Sequence, residues 1–68
     1  MIKHFFFNGK QYCINKTIKL IDLIKYFDIQ DSLIIIEYNG SICQKKNWNI
    51  YNINNNDKIE IITIVGGG

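Results

Sequence analysis

The sequence predicts an α+β fold in two layers, one helix packed on a mixed sheet, with element order β-β-α-β-β-β. Three observations predict it. Two Asn-Gly pairs, Asn8-Gly9 and Asn39-Gly40, each lie between β-prone runs. One stretch alone, residues 18–27, has helical apolar spacing. The last segment before a glycine terminus, Lys58 to Val65, is dense in β-branched side chains.

The first hairpin joins strands over residues 2–7 and 10–14. Asn-Gly between two such runs signals a type I′ turn, because both central positions need positive φ. Thr17 is the predicted N-cap of a helix over residues 18–27. Leu20, Leu23, Ile24 and Phe27 fall at i, i+3, i+4 and i+7, one apolar stripe that must be buried against the sheet. Leu33 to Tyr38 reads as a largely buried strand, turned at Asn39-Gly40 into a short partner, Ser41 to Cys43. Residues 45–56 are irregular and polar, with Trp48, Ile50, Tyr51 and Ile53 as expected inward anchors. Asp57 is expected to shape the turn into the last strand, which carries enough apolar residues to be central. That order, at this length, resembles the β-grasp fold of ubiquitin. Residues 1–65 form the predicted domain and residues 66–68 a flexible Gly-Gly-Gly tail.

Composition narrows the function classes. At 68 residues the chain is one small domain. A cleft of ~300–1,000 Å³, the usual size of a ligand pocket, would hollow out its core. A carrier, binding or interaction module is expected, not an enzyme with its own catalytic cleft. Eight Lys, no Arg and six acidic residues give a net charge of +2, too weak and scattered for nucleic acid. No apolar run approaches the ~20 residues of a membrane span, and the N-terminus lacks the pattern of a secretory signal. The protein is expected to remain where it is made.

Cys13 and Cys43 have no CxxC partner and read as two small buried apolar residues. His4 has no companion ligand and reads as a surface or partly packed imidazole. Lys45-Lys46 reads as a solvated turn, with electrostatic steering of an acidic partner as the alternative. Ile, Asn and Lys supply 33 of the 68 residues, while Ala, Arg and Pro are absent. All three favoured residues use A/T-rich codons, which points to an A+T-rich genome such as that of an organelle or a low-GC bacterium.

The chemistry is expected at the chain terminus. An Ile- and Val-rich strand would hold one end of the tail, and Gly66, Gly67 and Gly68 carry no side chains. Glycine allows close backbone approach to another surface, so Gly66 and Gly67 suit a channel too narrow for other residues. The reactive group would be the Gly68 α-carboxylate. A carboxylate is a poor acyl donor, and adenylation would give it a leaving group. The ATP, Mg²⁺ and cationic groups for that step must come from a partner, since Gly66–Gly68 is followed by no Lys or helix as a phosphate loop would be. No bound cofactor is expected. A docking surface is predicted on the sheet face away from the helix. With Ile59 and Ile61 inward, Ile62 and Ile64 face outward, and Phe6 on the first strand joins them in an apolar patch.

The whole chain resembles the ThiS family, sulfur carriers of thiazole formation in thiamine biosynthesis. The matching features are Phe7-Asn8-Gly9, a Thr-initiated helix, Tyr38-Asn39-Gly40-x-Ile42 with Trp48 beyond, Asn56-Asp57-x-Ile59, and the Val-Gly-Gly-Gly end. Two positions depart from the pattern. Gln44-Lys45 stands where the family commonly has Pro-Arg, and Asn56-Asp57 where it usually has Gly-Asp. The resemblance implies that Gly68 is adenylated by a ThiF-like adenylyltransferase and converted to a thiocarboxylate. Sulfur would come from a cysteine desulfurase or related donor and pass to a ThiG-like thiazole synthase. If the A+T-rich genome is a plastid's, the stroma is the expected site, and otherwise the cytoplasm. The alternatives are a MoaD-like carrier of molybdopterin synthesis, another ubiquitin-like carrier or modifier, and a β-grasp interaction module with an inert tail.

Overall fold

The computed structural model describes residues 1–64. Five strands form one sheet: β1 (Lys3–Phe7), β2 (Lys10–Ile14), β3 (Ile34–Tyr38), β4 (Ser41–Cys43) and β5 (Lys58–Thr63). Their order across the sheet is β2-β1-β5-β3-β4. The last strand is central, antiparallel to β3 and parallel to β1, so the sheet is mixed. Both predicted hairpins form. Asn8 and Asn39 have φ of 52° and 53°, and Gly9 and Gly40 follow at 79° and 86°, as type I′ turns require.

One helix, α1 (Leu20–Tyr26), crosses the sheet and buries Leu20, Leu23 and Ile24. It begins later than predicted, and Thr17 is not its cap. The Ile18 carbonyl accepts the Ile53 N–H at 2.9 Å, and Lys19 bridges Asn52, so residues 18–19 stay extended. Lys19 is the N-cap instead, its own N–H bound at 2.9 Å by the Asp22 carboxylate. Two free N–H groups of the first turn, on Leu20 and Ile21, donate to the carbonyls of Tyr51 and Trp48. A helix of only seven residues is marginal alone, and this loop satisfies groups that would otherwise be orphaned. At the other end Asp28 takes φ of 53°. Its N–H reaches Lys25 O and that of Ile29 reaches Ile24 O, a Schellman closure.

The core joins Phe5 and Phe7 of β1, the helix stripe, Ile34 and Ile36 of β3, Cys43, Ile59 of β5, and two residues of the irregular segment. Those two are Trp48 and Ile53; Ile50 and Tyr51, expected to point inward, are 63% and 43% exposed. Trp48 is fully enclosed and its Nε1–H donates to Cys43 O at 2.9 Å, which meets the polar need of a buried indole. Once Trp48 and Ile53 fill the space below β4, the segment between them must loop outward. The two cysteines part company as well. Cys43 is buried and burial pushes its thiol pKa up. Cys13 is exposed because it sits opposite His4 on the outward side of the first hairpin. Both are free.

Candidate functional site: the outer sheet face and the exit of the last strand

The start of β5 is fixed by a small polar network around Asp57, which is 6% exposed. Its carboxylate accepts the Tyr38 hydroxyl at 2.6 Å, the Asn39 amide at 3.0 Å and the Asn54 N–H at 2.7 Å. Asn39 also accepts the Lys58 N–H at 2.8 Å, so the hairpin turn and the β5 turn share one set of bonds. Asn56 takes φ of 71°. Asparagine tolerates this left-handed geometry better than most residues, so the turn survives without the glycine usual in the resembling family. Burial, then the Asp57 hydrogen bond and its charge, push the Tyr38 hydroxyl from 10.0 to about 12.

Along β5, Ile59 is buried and Ile61 half-buried against the helix, while Lys58, Glu60 and Ile62 point to the other face. Asn8 steadies the strand from the side. Its N–H donates to Ile59 O at 2.9 Å and its Oδ1 accepts the Ile61 N–H at 2.7 Å. At the far end the Ile64 N–H donates to Leu33 O at 2.7 Å, so the chain is still tied to the sheet one residue beyond β5. Gly66, Gly67 and Gly68 lie outside the described residues, as does Val65, the expected strand end.

Of the three predicted patch residues, Ile62 is 43% and Ile64 46% exposed. Phe6 is half-buried and pairs with Lys58, four residues before Ile62. At ~3.3 Å per residue it stands ~13 Å from Ile62 along the strand. There it lines a shallow 140 Å³ depression with Gly9, Lys58, Ile59 and Glu60. The expected three-residue patch is therefore corrected. Ile62 is flanked across β3 by Ile35, and one row further Glu60, Glu37 and Ile42 stand side by side. Ile42 is 68% exposed. The outward position of Ile35 and Glu37 was implicit in the alternation of β3, but only the β3–β5 register reveals that they adjoin Ile62 and Glu60. Two carboxylates directly opposite each other oppose sheet stability; along the strands Ile62 and Ile35 border them on one side and Lys58 and Asn39 on the other.

His4 is exposed and its Nδ1 meets the Gln11 amide at 3.2 Å. Lys45 pairs with Asp31 at 3.3 Å beside a short 3₁₀ turn, Lys45–Asn47. Among the described residues no three His, Cys, Asp or Glu side chains are grouped to hold a metal ion. No helix there is long and apolar enough to cross a membrane.

A central last strand, a helix across a mixed sheet and a chain exit beside β3 define the ubiquitin-like β-grasp class. A solved structure of a thiamine biosynthesis protein, ThiS of Geobacter metallireducens, is similar over 96% of this chain and 99% of that one, with TM-score 0.82. A solution structure of a Geobacter metallireducens thiamine biosynthesis protein gives 0.75 over 96% and 87%. At 19% and 18% identity these similarities show the fold. The chain belongs to the ThiS family, whose model matches residues 5–68. It is also similar to the uncharacterized protein ycf40 of Trieres chinensis, 59% identical over 97% of this chain and 90% of that protein. The ycf40 proteins of Porphyra purpurea and Pyropia yezoensis are 38% and 34% identical over 90% of this chain and 86% of their own length.

Proposed function

We propose that the protein is a sulfur carrier of thiamine biosynthesis whose working group is the Gly68 carboxylate. The family match carries this proposal, because it runs through Gly66, Gly67 and Gly68 to residue 68. In the first step a Gly68 carboxylate oxygen attacks the α-phosphorus of ATP and pyrophosphate leaves. A hydrosulfide-level nucleophile then adds to the acyl carbon and AMP leaves, so that the terminus becomes –COSH. A ThiF-like adenylyltransferase would supply the Mg²⁺ and the cationic groups that stabilise charge at phosphorus. A ThiG-like thiazole synthase would then take the sulfur, the carrier acting as a tethered cosubstrate.

The rigid part of the molecule suits that role. The network at Asp57, the Asn8 contacts and the Ile64 bond hold β5 at both ends and in the middle, so a docked sheet would aim the residues beyond it. The face that would dock is the one carrying Ile62, Ile35 and Ile42 around Glu37 and Glu60. A partner surface with a basic side chain between apolar ones would relieve the carboxylate repulsion on binding. The Ile, Asn and Lys bias of this chain agrees with an A+T-rich organellar gene, as does its likeness to proteins named ycf40, and both support the plastid stroma as its place of work.

The test is intact-mass spectrometry after incubation with ATP, Mg²⁺, a ThiF-like enzyme and hydrosulfide. The expected product is heavier by one sulfur minus one oxygen, and a chain lacking Gly68 stays unmodified. An unchanged mass with active enzyme rejects the carrier role. A thiocarboxylate that serves a molybdopterin synthase and not a thiazole synthase would reassign it to the MoaD-like alternative.

A further inference from the structure

The edge of the sheet furthest from β4 carries a feature that sulfur transfer does not use. Strand β2 has β1 on one side and, among the described residues, no strand on the other. The orientation of its free edge follows from the pairings. On β1 the N–H of Phe6 donates to Asp57 O, and the carbonyl of His4 accepts the Asn56 N–H, both on the β5 side. Their partners across the hairpin, Gln11 and Cys13, therefore turn their backbone N–H and C=O groups away from β1, toward solvent. Tyr12 and Ile14 alternate to the helix side.

Beside that edge runs a groove of about 340 Å³ between β2 and α1, lined chiefly by Phe5, Tyr12, Ile14, Leu23, Tyr26 and Phe27. Its aromatic floor is preorganised: Tyr12 packs edge-on to Phe27 at 5.6 Å and stacks on Phe5 at 5.9 Å. Tyr26 stands 81% exposed on its rim. A strand added to β2 would satisfy the outward groups of Gln11 and Cys13. Every second side chain of that strand would then drop into this apolar groove.

Charge selects the occupant. Lys10 and Lys16 bracket β2 at its two ends, and Lys16 also lines the groove. The acidic residue on the wall, Asp22, is already bound by the Lys19 N–H. A second copy of this chain pairing through β2 would set these lysines against their own kind. We infer that the β2–α1 groove binds an extended peptide segment of a partner protein by strand addition, its core alternating apolar residues and its flanks acidic. The outer sheet face lies two and three strands away, at β5 and β3, so both surfaces can be occupied together. The carrier would then be held by one protein while another works at its terminus.

The experiment uses the full chain, isotopically labelled, and a synthetic peptide with a Val-Thr-Ile-Thr-Val core between paired Asp residues. Amide shifts in the nuclear magnetic resonance spectrum should saturate at Gln11, Cys13, Leu23 and Tyr26, leaving Ile35 and Ile62 unmoved. Lys10→Glu with Lys16→Glu should weaken binding about tenfold, and N-methylation of the peptide's edge-facing amides should abolish it. Absence of saturable shifts at peptide concentrations up to ~1 mM overturns the inference. So do shifts centred on Ile62, equal binding of a Lys-flanked peptide, or sedimentation showing that β2 pairs two copies of this chain.

Discussion

Asp57 is one carboxylate doing the work of several backbone bonds. It holds Tyr38, Asn39 and Asn54 at once, joining the β3–β4 turn to the entry of the central strand. Asp57→Ala removes the acceptor of the Asn54 N–H and the Asn39 amide and leaves the Tyr38 hydroxyl only the Asn52 carbonyl at 3.2 Å, each lost bond worth ~0.5–1.5 kcal/mol and up to ~3 kcal/mol where the acceptor is charged. A loss of about 2–4 kcal/mol in denaturant unfolding is expected; a loss below ~0.5 kcal/mol would mean that water replaces the carboxylate without cost. The Tyr38 hydroxyl gives a pH signature. Its folded-state pKa of about 12 stands above the ordinary 10.0, so the neutral phenol is the form the fold favours. The linked stability is intact below pH 10 and is lost as pH rises toward 12. Tyrosinate absorbance should show one of the four tyrosines ionising last, and Tyr38→Phe should remove that late step and flatten the alkaline decline in stability. Asp57 was legible in the sequence as a turn-shaping residue, but not its bond to Tyr38, whose position 19 residues earlier acquires meaning only through pairing.

Among the elements, the irregular stretch between β4 and β5 contributes more than its polar composition suggests. Trp48 and Ile53 close the core, and the carbonyls of Trp48 and Tyr51 terminate the helix that lies far away in sequence. Trp48→Ala removes a fully buried side chain and opens a cavity, which costs about 3–5 kcal/mol. Circular dichroism should show α1 signal lost together with the sheet in one cooperative melt. Retention of a melting temperature within a few degrees would show that the loop is dispensable to the core. Periodicity identified α1 and its buried stripe, since apolar spacing is local information. It misplaced the cap, because the first-turn donors are met by groups some thirty residues on. In the same way the two Asn-Gly turns were readable from neighbouring residues alone, whereas Ile50 and Tyr51 could be assigned outward only once Trp48 and Ile53 had filled the available volume.

For the whole molecule, the placement of the last strand at the sheet centre is the feature that couples fold to function. Its two neighbours fix its register, so Ile62 joins Ile35 and is separated from Phe6. On the proposed docking face Ile62→Asp adds a third carboxylate beside Glu37 and Glu60. Affinity for the adenylylating partner should fall at least about tenfold, measured by titration calorimetry. The unfolding free energy should change by no more than a surface substitution produces, about 0.5 kcal/mol. Unaltered affinity would move the interface elsewhere, and cooperative unfolding at room temperature would show that Ile62 belongs to the core.

The sequence by itself determined the β-β-α-β-β-β order, the two I′ turns, the buried helix stripe and the central last strand. Each of these rests on residues close together along the chain or on a composition no other element could use. The tertiary structure alone decided the strand registers, the composition of the outer face, the helix cap and the exposure of Cys13. Those depend on which distant segments meet, and a single residue of register moves every side chain of a strand to the other face.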